Sequence, residues 1–220
     1  MKKQNSIITI AIIIASIFSN GGCKTTTTTP PIITVYGANP EYVTLNSSYS
    51  DSGANASDVT DGDISWKIVT TYYPSTGVNF NLAGTYYAYY NVSDAAGNQA
   101  AQAIRTIYVY NSANTLAGNY SGSILYPGSP VRFGSDSISA SSTINFQMMI
   151  YNFALNPKAN IIANFDSTLK IISIPKQAVG DTIYWGSGIR SNTTLVIIYS
   201  DSSISSGVIL PNLSSTYTKQ

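Results

Sequence analysis

Gly84-Thr85-Tyr86-Tyr87-Ala88-Tyr89-Tyr90-Asn91-Val92-Ser93-Asp94-Ala95-Ala96-Gly97-Asn98, followed by Ile104 to Tyr110, is the stretch from which the fold is read. Tyr, Val and Ile favour pleated, half-buried surfaces, and successive side chains of a strand point to opposite faces. Thr85–Val92 and Ile104–Tyr110 are therefore read as two strands. Gly97-Asn98 supplies residues that tolerate positive φ, so the pair is expected to be a hairpin. If Tyr86, Ala88 and Tyr90 point inward, the same alternation sends Tyr87 and Tyr89 outward, and Tyr108 and Tyr110 outward on the next strand, all on one sheet face.

The pattern extends in both directions. Ile33-Thr34-Val35, Tyr42-Val43-Thr44-Leu45 and Ser65-Trp66-Lys67-Ile68-Val69 read as further strands, the last with Trp66 and Ile68 on one face. Between them lie turn clusters such as Gly37-Ala38-Asn39-Pro40 and Asp61-Gly62-Asp63. Short strands punctuated in this way suggest a β-sandwich. From Asn111 the character shifts to a second β-rich unit with candidate strands Tyr120–Leu125, Thr143–Tyr151, Ile161–Phe165, Leu169–Ile174, Thr182–Tyr184 and Thr194–Tyr199. The expected class is all-β, a sandwich over 32–110 followed by a second sandwich or a barrel over 111–220. Neither half repeats the other.

Pro31-Ile32-Ile33-Thr34-Val35-Tyr36-Gly37, Tyr49-Ser50-Asp51-Ser52-Gly53-Ala54, Asp61-Gly62-Asp63-Ile64, Gly84-Thr85-Tyr86 and Tyr90 to Asn98 together resemble a bacterial immunoglobulin-like repeat. That repeat occurs in surface proteins and some pesticidal crystal proteins and is related to the hyalin-repeat type. The resemblance implies a non-catalytic spacer or adhesion module in which Tyr86, Ala88, Tyr90 and Val92 face the core, with Ile107 and Val109 opposite. Its one departure is Tyr72 to Phe80, longer and more aromatic than the usual connection. In the second half, Leu116 to Gly122, Ile172-Ser173-Ile174-Pro175 and Gly186-Ser187-Gly188-Ile189 are similar to a lipocalin-like barrel domain of Bacteroidota lipoproteins.

The N-terminus reads as an address. Lys2-Lys3, an apolar run from Ile7 to Phe18 and Gly21-Gly22 before Cys23 form a secretory leader, residues 1–22. The run is shorter than the roughly 20 residues that span a bilayer. Cys23 resembles the acylated cysteine of a bacterial lipobox, although Asn20 stands where that motif has an apolar residue. Residues 23–31, with the Thr25–Thr29 run and Pro30-Pro31, then form a tether. The partner implied is a membrane, reached through a lipid. The location implied is the outer membrane of a Gram-negative bacterium, on its periplasmic face or at the cell surface. Lys24 and the following threonines lack the acidic cluster that resembles a surface-export signal, which favours the periplasmic face.

Composition narrows the chemistry. Without the leader, nine basic residues face ten acidic ones, so no basic patch is expected for nucleic acid. The chain has no histidine and one cysteine, which leaves no Ser-His-Asp or Cys-His site, no disulfide and no thiolate metal site. Ser-x-x-Lys occurs at Ser167–Lys170 and Ser173–Lys176 without its partner motifs, and beside a strand this spacing sends the two side chains to opposite faces. The expectation is a non-enzyme without a cofactor. Asp61-Gly62-Asp63, with Asp51, Asp58 and Asp94, is read as turn chemistry rather than a calcium loop. A strand-borne tryptophan is ordinarily a buried sandwich anchor, the reading taken for Trp66. Trp185, before Gly186-Ser187-Gly188, is the candidate for an exposed ligand platform. Outward Tyr87, Tyr89, Tyr108 and Tyr110 form a surface suited to a glycan or to an envelope protein, because Tyr joins apolar area to a polar tip.

Overall fold

The computed structural model describes residues 28–220. The leader, Cys23 and the start of the tether lie outside the described residues.

The first unit is a two-sheet sandwich. One sheet orders β1 (Ile32–Val35), β3 (Ala54–Asp58) and β4 (Gly62–Asp63). The other orders β2 (Glu41–Thr44), β7 (Ala103–Tyr110), β6 (Gly84–Asn91) and β5 (Val69–Tyr73). The β6–β7 hairpin forms as expected, with Tyr86 opposite Ile107 and Gly97 at φ +95° in the turn. Tyr86, Ala88, Tyr90, Ile107 and Val109 are buried with Val43 and Leu45, and Ile33, Val35 and Ala54 of the facing sheet close over them. Val92 belongs to a smaller cluster with Ala56, Ile64 and Ala100.

One expected strand is different. Ser65–Lys67 is a 3-10 turn, and β5 begins only at Val69. The Ser65 hydroxyl donates to Asp63 Oδ1 at 2.5 Å, and the Ser65 backbone N–H donates to the same oxygen. This Asx turn curls the backbone out of the extended state, the competition by which a short polar side chain replaces a ladder. The pleat that would have placed Trp66 beside Ile68 is lost. Trp66 is 80% exposed with Lys67 Nζ 5.4 Å from its ring, so it is not the buried anchor expected.

Arg105 is the unusual core residue of this unit. It occupies an inward position of β7 and is fully buried. Its Nε lies 3.2 Å from Asp51 Oδ1, and its Nη atoms donate to the carbonyls of Tyr36 and Ala38. The Tyr90 hydroxyl donates to the other Asp51 oxygen at 2.5 Å. Asp51, Asp58, Asp61 and Asp94 all accept from nearby groups, the last three mainly from turn amides.

The second unit is an eight-stranded, closed, antiparallel barrel in up-and-down order. Its strands are β8 (Gly118–Leu125), β9 (Arg132–Ala140), β10 (Gln147–Tyr151), β11 (Ile161–Phe165), β12 (Ile171–Val179), β13 (Thr182–Ser191), β14 (Thr194–Ser203) and β15 (Ile209–Lys219). β15 returns to β8 to seal the wall, so the barrel alternative holds and the second sandwich does not. Sequence reading did not find β9, RFGSDSISA, or β15, which contains Pro211. Gly, Ser, Asp and Pro favour turns locally, and the ladders on either side override that preference.

The core of the barrel is its lumen, filled by side chains including Ile124, Ile138, Met148, Ile150, Ile172 and Leu195. Gly186 and Gly188 let β13 press against β14. A Cβ on either would stand 2.3 Å from a β14 carbonyl oxygen, Ile198 or Val196. The barrel end formed by the 141–146 turn meets the sandwich, where Ala83 N–H donates to the Ser142 carbonyl at 2.7 Å. Asn111, buried in the connection, turns its amide to the carbonyls of Ser141, Ile144 and Gln147.

Candidate functional site

Two surfaces stand out, one on each unit. The first is the solvent face of the β2-β7-β6-β5 sheet. Inward positions of β6 and β7 are taken by the core, so Tyr87, Tyr89, Tyr108 and Tyr110 stand on the outer face as the alternation required. Tyr87 and Tyr89 stack with centroids 6.2 Å apart. Tyr73 of β5 joins Tyr87 at 6.5 Å, because Tyr73 and Tyr87 are register partners. On the other side of the sheet Tyr42 of β2 lies 5.2 Å from Tyr108 and 6.4 Å from Tyr110. The four expected tyrosines thus fall into two groups, each completed by a tyrosine from an edge strand. Tyr42 and Tyr73 are both 63% exposed. Their role was hidden in the sequence because edge-strand pairing, parallel for β2, brings residues distant in sequence together.

The register places Thr85 beside Tyr108, Thr106 beside Tyr87 and Thr71 beside Tyr89. The outer face between the two edge strands therefore presents tyrosine, threonine, Ile104 and Asn91, with no charged side chain among its outward positions. Flat rings can stack on an apolar face while the hydroxyls among them accept or donate at its margins. Trp185 is elsewhere. It lies half-buried on the outer wall of the barrel, beside inward Tyr184, with Lys176 Nζ 5.6 Å from its ring. It does not join the tyrosine groups.

The second surface is the barrel end farthest from the sandwich. The loop 152–160 folds into this end. Phe153 is fully buried, with its ring 4.8 Å from Tyr199, 5.7 Å from Tyr184 and 6.2 Å from Tyr217. Leu155 lies over Gly122 and Gly134, and a Cβ on Gly134 would stand 2.7 Å from its Cδ2. Asn152, Ala154 and Leu155 all take left-handed φ of 53–59°. That conformation costs roughly 1–2 kcal/mol per non-glycine residue. The burial of Phe153 and the bond from Ala154 N–H to Tyr217 Oη at 3.0 Å offset it.

Below this plug the lumen is polar in one sector. Asp136 is buried, and neither of its oxygens has a hydrogen-bond partner at good distance and angle. Burial pushes its carboxyl up to about 6, although the nearby Tyr217 hydroxyl acts in the opposite direction. Tyr199 Oη and Ser215 Oγ are also buried without a hydrogen bond of good distance and angle, and burial raises the pKa of both Tyr199 and Tyr217. The rest of the mouth, on the β8, β9 and β15 side, is an open cavity of about 590 Å³.

Residues 33–109 match the family described as the Ig-like domain of bacterial surface proteins. The match spans the sandwich from β1 to β7. No curated protein matches the chain. Among solved structures, the chain is similar to the lipoprotein BT2262 from Bacteroides thetaiotaomicron at 13% identity, with 86% of this chain and 100% of that one covered and a TM-score of 0.36.

Proposed function

We propose that this chain, which carries a bacterial surface Ig-like domain over residues 33–109, is a non-catalytic binding module of the cell envelope. In this reading Cys23 is acylated, the leader is removed, and the tether holds the sandwich close to the outer membrane. The organism is a Gram-negative bacterium of the Bacteroidota, and the chain stands on the periplasmic face of that membrane or at the cell surface. The observation that carries the binding role is the uncharged tyrosine face, where Tyr42, Tyr108 and Tyr110 flank one side and Tyr73, Tyr87 and Tyr89 the other. Solvated sheet faces ordinarily mix charged residues with polar ones. A face built from paired rings and threonine hydroxyls is suited to contact with another surface.

The partner is an envelope protein in the leading reading. A neutral glycan is the second, favoured by the stacked Tyr87–Tyr89 pair and the absence of charge on the sheet between the edge strands. A glycan array probed with the chain from Lys24 onward separates them. Saturable glycan binding that Tyr87→Ser with Tyr89→Ser abolishes supports the sugar reading. If that double variant binds neither glycans nor envelope proteins differently from wild type, the tyrosine face is not the contact surface. Metabolic palmitate labelling of the full chain, lost in Cys23→Ser, tests the anchor.

A further inference from the structure

We propose that the free edge of β5 pairs with β5 of a second copy, antiparallel about Thr71, so that two sandwiches share one continuous sheet. β5 is the last strand of its sheet, and among the described residues no strand pairs with its outer side. On such an edge the N–H and C=O groups of alternate residues point outward without partners, a template for another strand. All five residues, Val69–Tyr73, are exposed. Thr70 and Tyr72 take the inward parity, opposite buried Tyr90 and Ala88, yet stay open because the facing sheet ends in the two-residue β4. β5 thus overhangs the sandwich as a bare margin.

Folded proteins ordinarily guard an edge with a charge, a bulge or a covering segment. The other margin of this sheet follows that rule, since β2 carries Glu41, an acid held 3.9 Å from buried Arg105. β5 has no charged residue, and its register with β6 runs unbroken from Val69 to Tyr73. Trp66 stands three residues before β5 and is 80% exposed. Tryptophan is among the side chains that carry most of the binding energy in protein contacts. An uncharged edge and an open tryptophan lie side by side.

The strand's own sequence identifies the occupant. A two-fold axis through Thr71 sets Val69 against Tyr73, Thr70 against Tyr72, and Thr71 against itself. Each is a favoured cross-strand pair, aromatic with β-branched or threonine with threonine, and no like charges meet. The same register brings the partner copy's Pro74 opposite Ile68. The turn from Pro74 to Gly77, closed by a 3.0 Å backbone bond, then comes alongside Trp66. Val69, Thr71 and Tyr73 share the outer face with Tyr87 and Tyr89, so an axis normal to the sheet joins two tyrosine faces into one. Ile32 lies beside Ser57 at the sandwich end away from the barrel, where Asp61 accepts the Ala95 N–H. The axis therefore sends the two tethers out at opposite ends, which suits copies lying flat on one surface or standing on two facing ones.

The test is sedimentation equilibrium of the chain from Lys24 onward, which retains every described residue, across micromolar to millimolar concentrations. A reversible monomer–dimer equilibrium is expected, with amide exchange in Val69–Tyr73 slowing as the dimer fills. Thr71→Lys and Thr71→Glu should each weaken dimerisation about tenfold, because like charges then face each other across the axis. Mixing the two variants should restore a dimer containing one of each. Thr71 is exposed, and an unchanged melting curve confirms that both variants fold. The Tyr87→Ser, Tyr89→Ser variant, which tests the outer face, should dimerise as wild type does, so the two readings fail separately. A chain that stays monomeric throughout overturns the proposal, as does a dimer that Thr71→Lys leaves unchanged. A dimer abolished by Tyr87→Ser with Tyr89→Ser and spared by Thr71→Lys overturns it in favour of stacked tyrosine faces.

Discussion

Asn46 of the sandwich accepts the backbone N–H of Asn145 of the barrel at 2.9 Å, while its own amide donates to the Thr143 carbonyl at 3.1 Å. One side chain thereby satisfies a donor and an acceptor of the barrel turn 141–146. Asn46 lies at φ +65°, a left-handed conformation that asparagine tolerates better than most residues. Together with Asn111 and the Ala83–Ser142 bond, it sets the tyrosine face and the barrel mouth in a defined relation.

Asn46→Gly keeps the backbone conformation and removes both side-chain bonds to the barrel, together with the amide's bond to Asn81 at 3.3 Å. Hydrogen exchange of the Asn145 amide should accelerate by about fivefold, since a net hydrogen bond contributes about 1 kcal/mol. The melting of each unit should change little. Exchange mass spectrometry over residues 141–147 reads the effect, and unchanged exchange there would show that Asn46 does not hold the junction.

Arg105→Met leaves Asp51 without its cation and the carbonyls of Tyr36 and Ala38 without their donor. Breaking a buried pair by removing one partner costs about 3–5 kcal/mol. The loss should fall on the sandwich and spare the barrel. Urea unfolding followed by exchange protection in β6 and in β13 distinguishes the two. Equal loss in both strands would mean that the units unfold together.

Asp136 gives the barrel a pH dependence of definite sign. Its folded pKa, about 6, is above the ordinary 3.8, so the fold binds the proton more tightly than the unfolded chain does. The stability this contributes is complete below about pH 4 and is lost as pH rises through 6, by roughly 3 kcal/mol. Asp136→Asn keeps the shape and cannot ionise. Its melting temperature should therefore exceed that of wild type at pH 8 and match it more closely at pH 4. A wild-type barrel equally stable at pH 4 and pH 8 would contradict this.

Gly186→Ala places a methyl group 2.3 Å from the Ile198 carbonyl oxygen and 2.7 Å from Tyr199 Cα. Backbone on both sides must shift, at a cost of about 1–3 kcal/mol. Gly53→Ala is a control, because its Cβ would meet nothing within 4 Å and its penalty comes only from φ +73°. Trp185 fluorescence in a Trp66→Phe background reports barrel unfolding selectively. A Gly186→Ala barrel as stable as wild type would show that the β13–β14 approach is not tight in solution.

Much of the sandwich was legible in sequence because its signals are local. The pleat divides Tyr86-Tyr87-Ala88-Tyr89-Tyr90 into two faces, Gly97-Asn98 marks the reversal, and the immunoglobulin-like resemblance says which face is the core. Trp66 was misplaced because two hydrogen bonds between Ser65 and Asp63 decide the backbone there, and propensity does not weigh them. β9 and β15 were missed for the opposite reason. Their Ser, Gly, Asp and Pro residues read as turns until neighbouring strands supply the missing backbone partners.

The sequence by itself determined the β class, the outward Tyr87, Tyr89, Tyr108 and Tyr110, and the composition that leaves no histidine for chemistry. Period-two alternation and residue counts need only neighbours along the chain. Tertiary structure alone decided that Tyr42 and Tyr73 complete the tyrosine groups, that β15 closes on β8, and that Arg132 and Leu210 line one cavity. Each of those is a contact across many residues of chain. Such contacts depend on which strands pair and in what register, and the last pairing of a barrel is set only when its wall closes.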